Sequence, residues 1–201
     1  MSSNFDFSLT INRTQIINFL IRRCGYKSYL EIGVLDTKRN FDKVRCKSKE
    51  GVDPYCTGAT HKVLSDIFFV SYAVGRTFDI IFVDGDHTEK GSYKDIVNSL
   101  KHLSKGGTIV CHDCNPPTKK DEEWAGQVWR TILKLRATRP NTEIKTIHAD
   151  TGLGIIRPGQ QDLFESPNSF VDFNFFKQHR NKILNLVTVQ EFIKHELLKS
   201  N

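Results

Sequence analysis

The chain has 201 residues, 38% of them hydrophobic and 26% charged, with a formal net charge of +6. That suits one globular unit with a sizeable core. No apolar run approaches the roughly 18 residues of a membrane-spanning helix, and the opening MSSNFDFSLTINRTQ has no basic-then-apolar leader pattern, so a cytoplasmic location without membrane insertion is expected. The positive charge is scattered through KHLSK, KLRATR and FFKQHRNK. These read as solvated helix faces rather than a basic stripe with interleaved aromatics, and no nucleic-acid partner is expected.

In chain order, Ile16, Ile17, Leu20, Ile21 and Cys24 recur at helical spacing with Gly25 behind them, which predicts a capped helix over 13–24. SYLEIGV (28–34) reads as a buried strand interrupted by Glu31, and EGVDPY (50–55) as a second. HKVLSD (61–66) reads as a third short strand, with IFFVSYAV continuing as helix or turn. FDIIFVDG (78–85) has the unbroken apolar run of a parallel strand covered on both faces. Tyr93, Ile96, Val97, Leu100 and Leu103 mark an amphipathic helix that Gly106 and Gly107 are expected to close. TIVCHD (108–113) is a further strand, NPPTKKDEE a loop and WAGQVWRTILKLRAT a helix. TEIKTIHAD and GLGIIRP form a terminal hairpin with only Thr151 between them. The alternation predicts an α/β fold: a Rossmann-like, mostly parallel seven-stranded sheet with helices on both faces and a C-terminal antiparallel hairpin. The expected division is a core over 1–159 and a helical, aromatic-rich extension over 160–201 packed on it.

Five cysteines and no leader argue for reduced thiols. Cys111 and Cys114 have CxxC spacing, but the pair ends a strand and runs into Asn-Pro-Pro instead of opening a helix, and no second metal pair is evident.

Ligands of open α/β sheets bind outside the carboxyl ends of the strands. The expected strands end in Glu31-Ile32-Gly33, Asp53, Ser65-Asp66, Asp84-Gly85-Asp86-His87 and His112-Asp113. Gly33 allows close backbone approach. Asp53 follows it by 20 residues, where nucleotide-binding folds place an acid on ribose hydroxyls; a turn-forming Asp before Pro is the alternative. Neither GxGxxG nor a phosphate loop is present, which favours a nucleoside ligand without phosphates.

YLEIGV, GVDPY, SDIFF, FDIIFVDGDHTEKGSYKDI and LSKGGTIVCHDCNPP together resemble class I S-adenosylmethionine-dependent methyltransferases, in the branch related to sugar and small-molecule O-methyltransferases. WAGQVWRTILKLR and DTGLGII resemble later parts of that branch, so the likeness spans roughly residues 10–158. The chain also resembles the methyltransferase domain of a larger viral glycan-building protein; its location would then be the host cytoplasm.

The resemblance implies S-adenosyl-L-methionine as cofactor and a sugar or glycan hydroxyl, a deoxysugar such as rhamnose among them, as acceptor. Glu31 and Gly33 match the motif around the methionine part, and Asp53 the acid on the ribose. Ser65 and Asp66 match the adenine side. Arg13 lies in a segment that could meet the cofactor carboxylate. The family's glycine-rich loop is here Val34-Leu35-Asp36-Thr37, which weakens any expectation about backbone contacts there. The same mapping puts Mg²⁺ or Mn²⁺ on Asp84, His112 and Asp113, with Asp86 as base. His112 stands where the family has a carboxylate, so a metal-free site with His112, His87 or Asp86 as base is the alternative. A metal-dependent phenol or catechol methyltransferase and a non-catalytic nucleoside-binding module are the competing readings. His87 reads equally as a helix cap, Trp124 and Trp129 as packing residues, and His148 and Asp150 as structural parts of the hairpin.

Overall fold

In a computed structural model, residues 11–167 and 171–199 are described. The expectations that fall on residues 1–10, 168–170, 200 and 201 lie outside them. The first helix, α1 (Arg13–Cys24), starts with a capping box in which Asn12 and Gln15 bond each other's backbone, and ends at Gly25 in a left-handed conformation with φ 68°. Strands β1 (Ser28–Ile32), β2 (Ser48–Val52), β3 (Phe78–Val83) and β4 (Leu103–Cys111) are parallel. Strands β5 (Thr142–Ile147) and β6 (Leu153–Pro158) form the hairpin, and β6 is antiparallel to both β4 and β5. A two-residue strand, β7 (Leu186–Val187), pairs parallel with β5 and completes the order β2-β1-β3-β4-β6-β5-β7.

The sheet therefore has seven strands, but its seventh comes from the tail and not from residues 61–66. HKVLSD carries one adjacent apolar pair, Val63 and Leu64, and no alternation. Among these residues only an isolated bridge joins His61 to Val52, and Ser65 opens a helix, α2 (Ser65–Ser71), whose Phe68 and Phe69 enter the core. Two other expectations are corrected. Helix α3 (Glu89–Lys101) ends at His102, and Gly106-Gly107 lies within β4. The segment from Trp124 is two helices, α4 (Glu122–Ala125) and α5 (Val128–Thr138). Gly126 divides them with a non-helical backbone, φ 68° and ψ −148°, and a Cβ there would lie 2.5 Å from the His87 Cβ.

Alternation along the strands sends residues to two layers. Leu30, Ile32, Ile81, Val83, Ile109 and Cys111 pack with α2, α3, α5 and α6 (Phe173–Leu184). Tyr29, Ile80, Phe82 and Val110 pack with α1 and α7 (Val189–Leu198). Glu31, Asp84 and His112 continue the second set, so their side chains rise on the α1 face at the carboxyl edge. The register pairs Ile32 with Val83 and Val83 with Cys111. One step further, Gly33, Asp84 and His112 stand side by side.

Candidate active site

A cavity of about 380 Å³ opens at that edge, lined by Arg13, Glu31, Gly33, Asn40, Asp84, His87, His112, Asp113 and Trp124, with Val34, Leu35, Arg39 and Gly85. Gly33 has φ 87°, and a Cβ on it would lie 2.5 Å from the Asp84 carbonyl carbon and from the Gly85 Cα. Only glycine lets the ends of β1 and β3 approach this closely.

Glu31 is buried at the floor, where its Oε2 accepts hydrogen bonds from the Tyr29 hydroxyl and, at 3.0 Å, from Asn40 Nδ2. The Thr14 hydroxyl donates to Asn40 Oδ1 at 2.7 Å, which ties this group to the first turn of α1. Burial pushes the Glu31 carboxyl up to about 7 despite those two donors.

Across the cavity, three carboxylates face two imidazoles and a guanidinium. His112 Nδ1 lies 3.2 Å from Asp84 Oδ1 and 3.1 Å from Asp113 Oδ1, and its Nε2 lies 3.5 Å from Asp150 Oδ1. Burial disfavours its charged form, but the surrounding Asp113, Asp150 and Asp84 outweigh that and push His112 up to about 11. His87 Nε2 faces Asp84 Oδ1 at 3.4 Å and Asp113 Oδ2 at 3.6 Å. The bond to Asp84 pushes His87 up to about 9, against its burial. Asp84 is held well below the usual carboxylate range, because hydrogen bonds from His112 and His87 outweigh its burial.

His87 Nδ1 lies 2.9 Å from the Trp124 carbonyl oxygen, an acceptor only, so Nδ1 carries the proton and Nε2 is the atom turned to the carboxylates. Asp84, His87 and Asp113 each offer a ligand atom, all within 4.8 Å of one another. Two carboxylates and an imidazole whose far nitrogen is anchored on a carbonyl fit Mg²⁺ or Mn²⁺. The expected trio had His112 in the place of His87; both imidazoles face the two aspartates, and His112 also meets Asp150 and Arg13.

Other expected residues are placed differently. Asp86 is exposed and outside the cavity; its Oδ1 accepts from Thr88 N at 2.8 Å, just ahead of α3. Asp53 is buried beside the cavity. Burial would raise its carboxyl, but the backbone N–H groups of Leu35, Tyr55 and Cys56, each 2.8 Å away, hold it below the usual range. The Ser65 hydroxyl donates to Asp95 Oδ1 at 2.6 Å, and Asp66 pairs with Lys94; neither reaches the cavity. Arg13 does line it, yet its guanidinium lies 3.2 Å from His112 Nδ1 and 3.7 Å from Asp150.

The sequence reading missed Asp150 as a site residue. β5 runs parallel to β4 in the sheet, so the turn after it reaches the same edge. There Arg13 N donates to Asp150 Oδ2 at 2.7 Å and the Thr151 hydroxyl donates to Asp113 Oδ1 at 2.7 Å. Leu35, Asp113, Asp150 and Thr151 all adopt positive φ, between 46° and 61°, at or beside the cavity. Backbone strain concentrated at one site is a pointer to function. Trp129 is fully buried, stacked 4.4 Å from Phe176, whereas Trp124 is 52% exposed at the cavity mouth. The CxxC pair is buried and reduced: Cys114 Sγ donates to the Cys111 carbonyl at 3.3 Å. The neighbouring Cys114 and burial push the Cys111 thiol well up, away from nucleophilic use.

Residues 19–114 match the family model described as a methyltransferase domain. No curated protein sequence matches the chain. Among solved structures, a Klebsiella pneumoniae protein described as an O-methyltransferase is 16% identical, with 77% of this chain and 83% of that one covered and a TM-score of 0.55. The Podospora anserina methyltransferase PaMTH1, solved with S-adenosylhomocysteine, is 16% identical over 79% and 83% of the chains, with a TM-score of 0.54. The Streptomyces achromogenes O-methyltransferase TomG, involved in tomaymycin synthesis and solved with S-adenosylmethionine, is 16% identical over 72% and 78%, with a TM-score of 0.51. At these identities the likeness is one of fold. Among the described residues, no helix is long and apolar enough to cross a membrane.

Proposed function

Taking residues 19–114 as a methyltransferase domain, we propose that the chain transfers a methyl group from S-adenosylmethionine to a sugar hydroxyl with a divalent metal ion beside the acceptor. One observation carries this reading. A single cavity joins a close-approach glycine and a buried carboxylate, which suit the methionine end of the cofactor, to a ligand set of Asp84, His87 and Asp113.

Methyl transfer is an in-line displacement at a sulfonium carbon, so the protein's work is alignment and removal of the hydroxyl proton. A divalent ion, when bound, lowers the acceptor hydroxyl's pKa. Gly33, Glu31 and Asn40 position the methionine end. Asp53, held by backbone N–H groups beside the cavity, is the acid offered to a ribose hydroxyl. Asp84, His87 and Asp113 hold the acceptor side, and a cation there would replace the neutralisation that the two imidazoles now give the aspartates. With Asp86 turned toward α3, His112 becomes the base only when a cation on the aspartates takes over the neutralisation that now holds its proton, and Asp150 orients it.

Transfer of a radiolabelled methyl group to a panel of free sugars and simple phenols, with and without EDTA, is the test. Label in sugars that EDTA suppresses is expected, together with loss of transfer in His87→Ala. Label only in phenols would sink the sugar reading, and EDTA-indifferent transfer would sink the metal.

Trp124 offers an aromatic face at the mouth, of the kind that suits a sugar ring. Trp124→Ala is expected to raise the acceptor KM roughly 3- to 10-fold, the loss of one stacking contact. The affinity for S-adenosylhomocysteine should be unchanged; equal losses on both would place Trp124 on the cofactor.

A further inference from the structure

We propose that Arg39 is the residue that binds the carboxylate of the cofactor's amino-acid end. The inference rests on the reading of the cavity as an S-adenosylmethionine site. Three observations carry it.

First, Arg39 lines the cavity together with Glu31, Gly33, Leu35 and Asn40. Among the described residues its guanidinium has no carboxylate and no hydrogen-bond partner. The other cavity arginine, Arg13, is already committed to Asp150 and the edge of His112. Arg39 is therefore the free positive charge of this wall.

Second, the segment that carries it is fixed. Arg39 N donates to the Asp36 carbonyl at 3.0 Å, and Asp42 N to the Thr37 carbonyl at 2.8 Å. The Thr37 hydroxyl donates to Asp42 Oδ2 at 2.9 Å. The next residue, Asn40, is buried and bonded to both Thr14 and Glu31. The backbone that positions the guanidinium is held from two sides, so little ordering is left for the ligand to impose.

Third, the charges match. The Glu31 carboxylate and the Arg39 guanidinium line the same cavity without pairing with each other, and the Asn40 amide group is bonded to the former. An α-amino acid group presents an ammonium and a carboxylate one carbon apart. Glu31 suits the ammonium, and Arg39 the carboxylate through a planar fork.

The test is calorimetry on wild type, Arg39→Ala and Arg39→Lys, with two ligands: S-adenosylhomocysteine, and methylthioadenosine, which lacks the amino-acid group. In Arg39→Ala the dissociation constant for S-adenosylhomocysteine is expected to rise about 10- to 100-fold, the worth of one charge-assisted contact. Methylthioadenosine affinity and the melting temperature should be unchanged, and Arg39→Lys should recover part of the loss. Equal weakening of both ligands would overturn the proposal in favour of a structural role for the 34–40 segment. Unchanged cofactor affinity with a raised acceptor KM would overturn it in favour of an anionic acceptor. If the wild type binds methylthioadenosine and S-adenosylhomocysteine equally well, the amino-acid group has no site here and Arg39 no such role. If it binds neither, the cofactor reading itself fails and the proposal falls with it.

Discussion

Gly33→Ala is expected to abolish S-adenosylhomocysteine binding and to lower the unfolding free energy by about 2–6 kcal/mol, the sum of left-handed strain and overpacking. The added methyl would meet the Asp84 carbonyl group and the Gly85 Cα, which are backbone and cannot rotate away. Asp84 N is bonded to the Ile32 carbonyl at 2.8 Å and Gly33 N to the Val52 carbonyl at 2.9 Å, so neither strand end can retreat alone. Relief requires β1 and β3 to part where Glu31 and Asp84 face the cavity. Gly25→Ala is the control. Gly25 also has positive φ, 68°, but a Cβ there meets nothing within 4 Å, so it isolates the conformational cost of about 1–2 kcal/mol. Calorimetry and urea unfolding on both variants decide the matter. A Gly33→Ala protein that binds like wild type, or loses no more stability than Gly25→Ala, would show that the close approach is not required.

The carboxyl-edge residues were legible because a parallel sheet enforces them. Once FDIIFV is a strand buried on both faces, Asp84 must fall at its exit. The same reasoning placed Glu31, Gly33, His112 and Asp113. What the sequence hid depends on packing between distant segments. Asp150 joins the site only because β5 lies parallel to β4 with β6 between them, and Arg39 only because Asn40 is pinned to Glu31 and Thr14. His87 faces Asp84 and Asp113 with its Nδ1 anchored because the break at Gly126 brings the Trp124 carbonyl to it; the Gly126 signal lay inside a segment that otherwise reads as one helix. The third strand failed for a local reason, the absence of alternation in HKVLSD, and a two-residue strand such as β7 is below what periodicity can resolve.

Glu196→Gln is expected to cost about 3–5 kcal/mol at neutral pH, the usual result of leaving one partner of a buried ion pair alone. Glu196 is 3% exposed, and its Oε1 and Oε2 accept from the Arg157 guanidinium at 2.8 and 3.0 Å. Lys199 adds a bond at 3.0 Å. The Arg157 Nε donates to Thr108 Oγ1 at 2.8 Å, so the pair joins α7 to β6 and β4. Burial alone would raise the Glu196 carboxyl, but Arg157 and Lys199 outweigh it and lower Glu196 to about 2. A carboxylate with a depressed folded-state pKa contributes stability that is present above its unfolded value of about 4.3. That contribution is lost as pH falls through the folded value, about 2. Urea unfolding should therefore show wild type and Glu196→Gln far apart at pH near 7 and converging as pH drops from about 4 toward about 2. A difference that stays constant across that window would mean the glutamate acts through shape and hydrogen bonding alone, and the charge of the Arg157 pair would not be what fastens the C-terminal helix to the sheet.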